Sequence, residues 1–398
     1  MRINWFSNAP WGASGYSNQT AYFTPLLKEA GHDISITAFW GLQGGNITWN
    51  GIPCFPGFFD GHGQDVMIPN AKMWQSDILI TLYDTWVMKP NEEALRKEVK
   101  FVPWFPVDHD PVPQSVVDVV RTAFYPIAMS KSGQREMNNH GIKTGYVPHG
   151  INTDLFTPRH RALARKSLGF PNDAFIAVMV AMNKGIPSRK AFTQHLEAFA
   201  RFHKKHPDAF LYLHTLMTPE MQGYNLWDVV KALKIDKAVL VPDQYQYLMG
   251  YPHFFMADVF NSADVLLSAT MGEGFGIPIL EAQACGTPVI VGGWTAMEEL
   301  CFAGWKLDKD TESIPWMTPL GTNQFVPSVN AIEAYLEQAY DMATEDRYAL
   351  REQATTAAKE YDYRKVFNEY WQPALRTIER KLLDERAKAL KKGSRVNG

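Results

Sequence analysis

Two glutamates eight positions apart, Glu273 and Glu281, stand in the stretch Met271-Gly272-Glu273-Gly274-Phe275-Gly276-Ile277-Pro278-Ile279-Leu280-Glu281. Glu273 falls in a glycine-rich loop after a buried strand, and Glu281 in the first turn of a helix that Pro278 starts. The carboxyl end of a parallel strand is where such sheets bind ligands. Backbone N–H groups at the helix start can hold a phosphate, and each carboxylate can accept a bidentate pair of sugar hydroxyls. Together they suit a sugar nucleotide. A hydrolytic carboxylate pair would flank the scissile bond from opposite elements, so this spacing argues against glycosidase chemistry. Taken singly, Glu281 could merely favour a helix dipole, and Glu273 could be a solvated loop residue.

Other residues placed for chemistry follow strands. Arg189 and Lys190 lie in Met182–Ala191, between the strand Phe175–Ala181 and the helix Ala191–Lys204. Gly12-Ala13-Ser14-Gly15 follows the first strand, where a backbone without side chains lets a phosphate or an acceptor approach, though it is not the GxGxxG fingerprint. Pro106-Val107-Asp108-His109-Asp110-Pro111 follows an apolar strand, and the flanking carboxylates can raise the His109 pKa or fix its tautomer. Asp84, just after Ile78–Leu82, is a weaker acceptor-side candidate, and Asp108 is also expected on the acceptor side. Val241-Pro242-Asp243-Gln244-Tyr245 is where a nucleotide base would rest, with Asp243 and Tyr245 as contacts. Trp49, Phe55, Phe58 and Phe59 are either an acceptor platform or packing under a long loop. No His/Cys/Asp spacing suggests a metal site.

The elements that must hold these residues alternate. Strands are expected at Ile3–Phe6, Ile34–Phe39, Ile78–Leu82, Phe101–Phe105, Tyr125–Met129 and Gly145–Val147, with helices between several of them and an elaborated loop from Gly41 to about Asn70. The alternation pauses at Pro148–Pro158 and resumes from Phe175, ending in helices from about Ala331 to Lys391. The expected fold class is α/β, two doubly wound Rossmann-like halves. The domains are expected at 1–150, at 151–372 with its last helices crossing back, and at 373–398 as a basic helical tail.

The chain has 398 residues, 46% hydrophobic and 20% charged, which excludes a disordered chain or a coiled coil. A net charge of -3 leaves no global field for nucleic acid or an anionic membrane. Between Arg376 and Arg395, however, eight basic residues face three acidic ones, a candidate for weak contact with an anionic surface. Three scattered cysteines, Cys54, Cys285 and Cys301, fit a reducing cytoplasm, and no apolar run is long enough to span a bilayer. Seven of the twelve tryptophans precede residue 150, so the first half has unusual aromatic core or surface.

The Glu273–Glu281 stretch resembles the E-x7-E signature of the retaining GT-B glycosyltransferases of glycosyltransferase family 4. Pro148-His149-Gly150-Ile151-Asn152-Thr153-Asp154-Leu155-Phe156 resembles that family's interdomain P-N-G-[IV]-D-x-x-x-F segment, with His149 and Asn152 departing from its commoner Asn and Asp. Ala263-Asp264-Val265 is similar to its ADV strand entry, and Glu298 and Glu299 stand where it has a Glu after a glycine-rich turn. The resemblance implies a GT-B fold with the site in the crevice between two domains. It implies that Glu273 bonds donor-sugar hydroxyls and that Glu281 holds the ribose. It places the amides of Phe275, Gly276 and Ile277 beside Gly274 near the phosphates, and makes Arg189 and Lys190 the basic pair that neutralises the departing diphosphate. It puts His109 near the sugar and gives Gly12 the family's glycine loop.

The expected function is therefore retaining, metal-independent transfer of a sugar from a nucleoside diphosphate donor to a hydroxyl acceptor. UDP-linked glucose or N-acetylglucosamine is taken on frequency alone, with no cofactor besides the co-substrate. Small molecules, glycans, lipid-linked sugars, proteins and nucleic acids remain open as acceptors. Alternatives are transfer to a modified base in nucleic acid, a GT-B epimerase, and a non-catalytic sugar-nucleotide binder.

Overall fold

The structure is a computed structural model that describes residues 1–396, with side chains through Lys391; Lys392 and Arg395 of the basic tail lie outside the described side chains. Its contacts divide the chain into two compact units. The first comprises Met1–Pro106, Gln114–Gly150 and Tyr363–Gly398, and the second Val107–Pro113 and Ile151–Asp362. Two of these limits differ from the sequence expectation. The loop bearing Asp108 and His109 packs with the second unit, and the first unit's last segment begins at Tyr363, ten residues before the expected tail.

The first unit is built on β1 (Arg2–Asn8), β2 (Asp33–Gln43), β3 (Ile47–Trp49), β4 (Ile52–Gly57), β5 (Ile78–Leu82), β6 (Phe101–Phe105), β7 (Ile127–Ala128) and β8 (Gly145–Tyr146). They lie in the order β3-β4-β2-β1-β5-β6-β7-β8, parallel except for the antiparallel β3–β4 pair. The expected loop from Gly41 to Asn70 is thus partly sheet. Its Asn50-Gly51 pair, both at positive φ, is the two-residue turn that right-twisted hairpins favour. The tryptophan excess is explained in part by the core: Trp5 lies 6.0 Å from Trp104 and 5.7 Å from Trp371, with Phe23 against the last two. Trp5 donates to Thr20 Oγ1 and Trp104 to Val147 O, which satisfies two of the three buried indole N–H groups; that of Trp371 has no partner among the described residues. Trp371 comes from the segment after Tyr363, which is therefore part of this core.

The second unit has β9 (Phe175–Val180), β10 (Ala209–His214), β11 (Val239–Leu240), β12 (Val265–Ser268), β13 (Val289–Gly292) and β14 (Gly304–Leu307) in the order β11-β10-β9-β12-β13-β14. All are parallel, and the central strands β9, β12 and β13 are largely buried, as near-continuous apolar runs should be, while the edge strand β14 is partly exposed. Strand order reverses between β9 and β12, the crevice where doubly wound sheets take ligands at their carboxyl ends. At the opposite ends Asp264 fastens the same two strands, accepting from Ile176 N at 2.8 Å and pairing with Arg161, Arg165 and Arg347. An antiparallel hairpin, β15 (Ser313–Met317) and β16 (Asn323–Pro327), completes the unit.

Candidate active site

Arg189 and Lys190 follow β9, and Glu273 follows β12, so the reversal in strand order brings them together. Lys190 Nζ lies 2.5 Å from Glu273 Oε1, and Arg189 Nη1 lies 3.2 Å from Oε2. The loops are also joined through backbone, Met271 N donating to Arg189 O at 2.8 Å. Glu273 is buried, its own N–H donating to Thr295 Oγ1 at 3.1 Å. Burial alone would raise its carboxyl, but the charges of Lys190 and Arg189 outweigh that and hold it below the ordinary range. Burial, with Arg189 as neighbour, lowers the Lys190 ammonium against the pull of Glu273.

The Val107–Pro113 loop adds two side chains to this cluster. Asp108 Oδ1 is 2.7 Å from His109 Nδ1, and Asp108 Oδ2 is 3.6 Å from Arg189 Nε. Although partial burial opposes it, the His109 hydrogen bond and the Arg189 charge bring Asp108 down to about 2. An ionised carboxylate only accepts, so the shared hydrogen sits on His109 Nδ1 and the ring's chemistry is left to Nε2. Gly272 permits this approach: a Cβ there would stand 2.2 Å from Asp108 O. The structure thus gives Asp108, expected on the acceptor side, two partners within the second unit.

Glu281 is a contrasting carboxyl. It lies in the helix Ile277–Ala284, which begins at Gly276 in the left-handed region with Pro278 in its first turn. Glu281 is buried and has no hydrogen-bond or ion-pair partner among the described residues, and burial pushes its carboxyl up to about 8. A buried carboxyl without a protein partner can receive hydroxyl donors from a ligand. The helix start beside it offers N–H groups, and Phe275 there is buried.

The remaining expected residues are placed as follows. Asp243 caps the helix Gln244–Met249 by accepting from Gln246 N at 2.7 Å, and Tyr245 is exposed. Gln244 is consumed by Met217 N, Thr215 O and Pro242 O, which leaves the Tyr245 side chain exposed beside it in this loop. Gly12 and Asp84 belong to the first unit, following β1 and β5, the neighbouring strands at which that sheet's order reverses. A Cβ on Gly12 would meet Ser17 Oγ at 2.5 Å and the Trp40 ring at 2.7 Å, so a side chain there would have to displace both. Of the aromatic platform candidates, Phe55 is buried, Trp49 half-buried, and Phe58 and Phe59 exposed. In the interdomain-like segment Asn152 Oδ1 accepts from Asp154 N and Leu155 N, the turn an Asp there would also make.

Gly272, Thr295 and the β15–β16 hairpin were not foreseen as site-forming. The hairpin had a readable signal, the turn-forming Pro319-Leu320-Gly321-Thr322 after Ser313–Met317. Gly272 and Thr295 act through close approach and a single hydrogen bond, for which sequence spacing carries no sign.

The family model described as glycosyl transferases group 1 matches residues 160–300, the stretch that holds Arg189, Lys190, Glu273 and Glu281. A D-inositol 3-phosphate glycosyltransferase of Geodermatophilus obscurus is 33% identical over 156 residues, 38% of this chain and 34% of that protein. Its namesake from Saccharomonospora viridis is 30% identical over 190 residues, 47% and 43% of the two chains. These matches span about a third to under half of the relatives' length. Likeness of fold runs through the whole chain. Sucrose-phosphate synthase from Thermosynechococcus elongatus aligns over 98% of this chain and 99% of its own at a TM-score of 0.67 and 16% identity. WaaG, a glycosyltransferase of lipopolysaccharide biosynthesis, aligns over 94% and 98% at 0.69 and 13%. Anabaena Alr3699/HepE, solved with UDP and glucose, aligns over 94% and 99% at 0.65 and 16%. The chain thus has the GT-B fold, and residues 160–300 of its second unit match the glycosyl transferases group 1 model.

Proposed function

We propose that the protein is a retaining glycosyltransferase that moves a hexose from a nucleoside diphosphate sugar, first of all UDP-glucose or UDP-N-acetylglucosamine, to a hydroxyl acceptor without a bound metal. The carrying observation is the Arg189–Lys190–Glu273 cluster, with the Asp108–His109 pair against it, at the strand-order reversal of a group 1 domain. UDP as carrier is supported by the fold neighbour solved with UDP and glucose.

In this reading the diphosphate lies between the two cations and the start of the helix Ile277–Ala284. The bond from the anomeric carbon to the β-phosphate oxygen breaks, and its electron pair goes to the diphosphate, whose new charge Arg189 and Lys190 stabilise. The acceptor oxygen bonds to the anomeric carbon on the face the diphosphate leaves, and its proton passes to the departing phosphate oxygen. Glu273 orients the two cations before the donor arrives and accepts donor-sugar hydroxyls once it is bound. His109, fixed by Asp108, directs Nε2 at a sugar hydroxyl. Glu281 receives the ribose hydroxyls, which favours its ionised form, so nucleotide binding expels a proton that Glu281→Gln cannot lose.

Release of UDP from the two donors, followed by NMR of the anomeric centre, tests the reading. Turnover that falls about 100-fold or more in Arg189→Ala and Lys190→Ala, the scale for removing a group that stabilises transition-state charge, supports it. Unchanged turnover in both variants contradicts it, and an inverted anomer contradicts retention.

A further inference from the structure

The β15–β16 hairpin touches both loops that carry the cluster. Asp110 N donates to Asn323 O at 3.0 Å, and Gln324 Nε2 donates to Asp108 O at 3.4 Å. One residue further along the same strand, Phe325 N donates to Met271 O at 2.8 Å, two residues before Glu273. Lys309, just before the hairpin, places Nζ 2.5 Å from Asp110 Oδ2. Three successive residues of β16 therefore bind the His109 loop on one side and the Glu273 loop on the other.

The hairpin is built to act as a fixed support. Its five cross-strand pairs run from Ser313–Pro327 to Met317–Asn323, and Thr318 closes the turn with both N and Oγ1 donating to Thr322 O at 2.9 Å. Gln324 is buried, and its Cγ stands 3.7 Å from where a Cβ on Gly272 would be. By contrast Val107–Pro113 belongs to no helix or strand, and its only bridge among the described residues is Asp110 to Asn323. The support must come from outside the loop. Asp108 is gripped twice: Gln324 takes its carbonyl while its carboxylate holds His109 Nδ1.

We infer that β16, through Gln324 and Asn323 and with Lys309 alongside, is the positioning element that sets His109 against Glu273. Gln324 and Lys309 are positioning residues, since neither touches the reacting atoms. The inference rests on the proposed role of His109 at the donor sugar. Its mechanism is to fix the rotamer and tautomer of the imidazole through the Asp108 backbone.

The test reads the ring itself and needs no ligand. Protein labelled with 15N-histidine is observed at about pH 8, above the ordinary imidazole range, and His109 is identified by its loss in His109→Gln. The wild type should show one tautomer, protonated at Nδ1. In Gln324→Ala/Lys309→Ala the two ring-nitrogen shifts should move toward an averaged value while near-ultraviolet circular dichroism stays native. Should the double variant fail to fold, Lys309→Met, which removes one partly exposed ion pair, is read in the same way. A fixed, unshifted His109 ring in a folded variant overturns the inference. Because no donor is present, that result stands apart from a failure of donor binding, which would count against the proposed function instead.

Discussion

Glu273 and Glu281 are the same side chain in opposite electrostatic settings, and pH separates them. Glu281, raised to about 8 by burial, has a folded pKa above its ordinary 4.5. Such a group stabilises the fold fully below about pH 4.5, and that stability drains away as pH rises through 8. Urea unfolding at pH 5, 7 and 9 should therefore show wild type losing stability toward alkali that Glu281→Gln keeps. Equal alkaline losses in both proteins would mean the carboxyl is not buried without a partner. Asp108 has the reverse sign: with a folded value of about 2 against 3.8, its stabilisation is complete above about pH 4 and is lost as pH falls toward 2. Asp108→Asn should flatten the acid limb of the stability profile. Gly272→Ala should be severe, because its Cβ would press on Asp108 backbone rather than on a flexible chain end. The expected cost is about 1–3 kcal/mol, the usual penalty for overpacking, read by chemical unfolding.

Among the elements, parallel strands were legible because burial on both faces writes them as unbroken apolar runs, as in Phe175–Val180 and Ile78–Leu82. The Glu273–Glu281 loop and helix were legible for a different reason, since glycines, a proline and two carboxylates sit within eleven residues. What escaped was pairing between distant segments. The Asn50-Gly51 turn was hidden in a stretch whose glycines and prolines suggested loop alone, and the grip of Gln324 on Asp108 spans 216 positions. Trp371 belongs to the same class: nothing local says that it fills the core beside Trp5 and Trp104. Trp371→Ala should cost the first unit about 3–5 kcal/mol, the range for emptying a buried aromatic site, and its unfolding transition should fall accordingly. A transition within a degree or two of wild type would place the core elsewhere.

For the whole molecule, charge is divided unevenly between the two units. The first carries 21 Lys+Arg against 15 Asp+Glu, and the second 18 against 27. A diphosphate bound to the second unit approaches a net negative body, so its affinity must come from short contacts with Arg189, Lys190 and the helix start rather than from the long-range field. Raising salt screens the repulsion along with the attraction, and nucleotide affinity should fall far less than for a site on a basic surface. Among the described residues no helix is long and apolar enough to cross a membrane. The most direct measurement of the central claim is a thermal-shift series with UDP-, GDP- and ADP-sugars on wild type and on Glu281→Gln, because a ligand of the folded state must raise its midpoint. The account predicts a clear rise with one nucleotide series, reduced or lost in Glu281→Gln. No rise with any of them, or one that Glu281→Gln leaves intact, would contradict it.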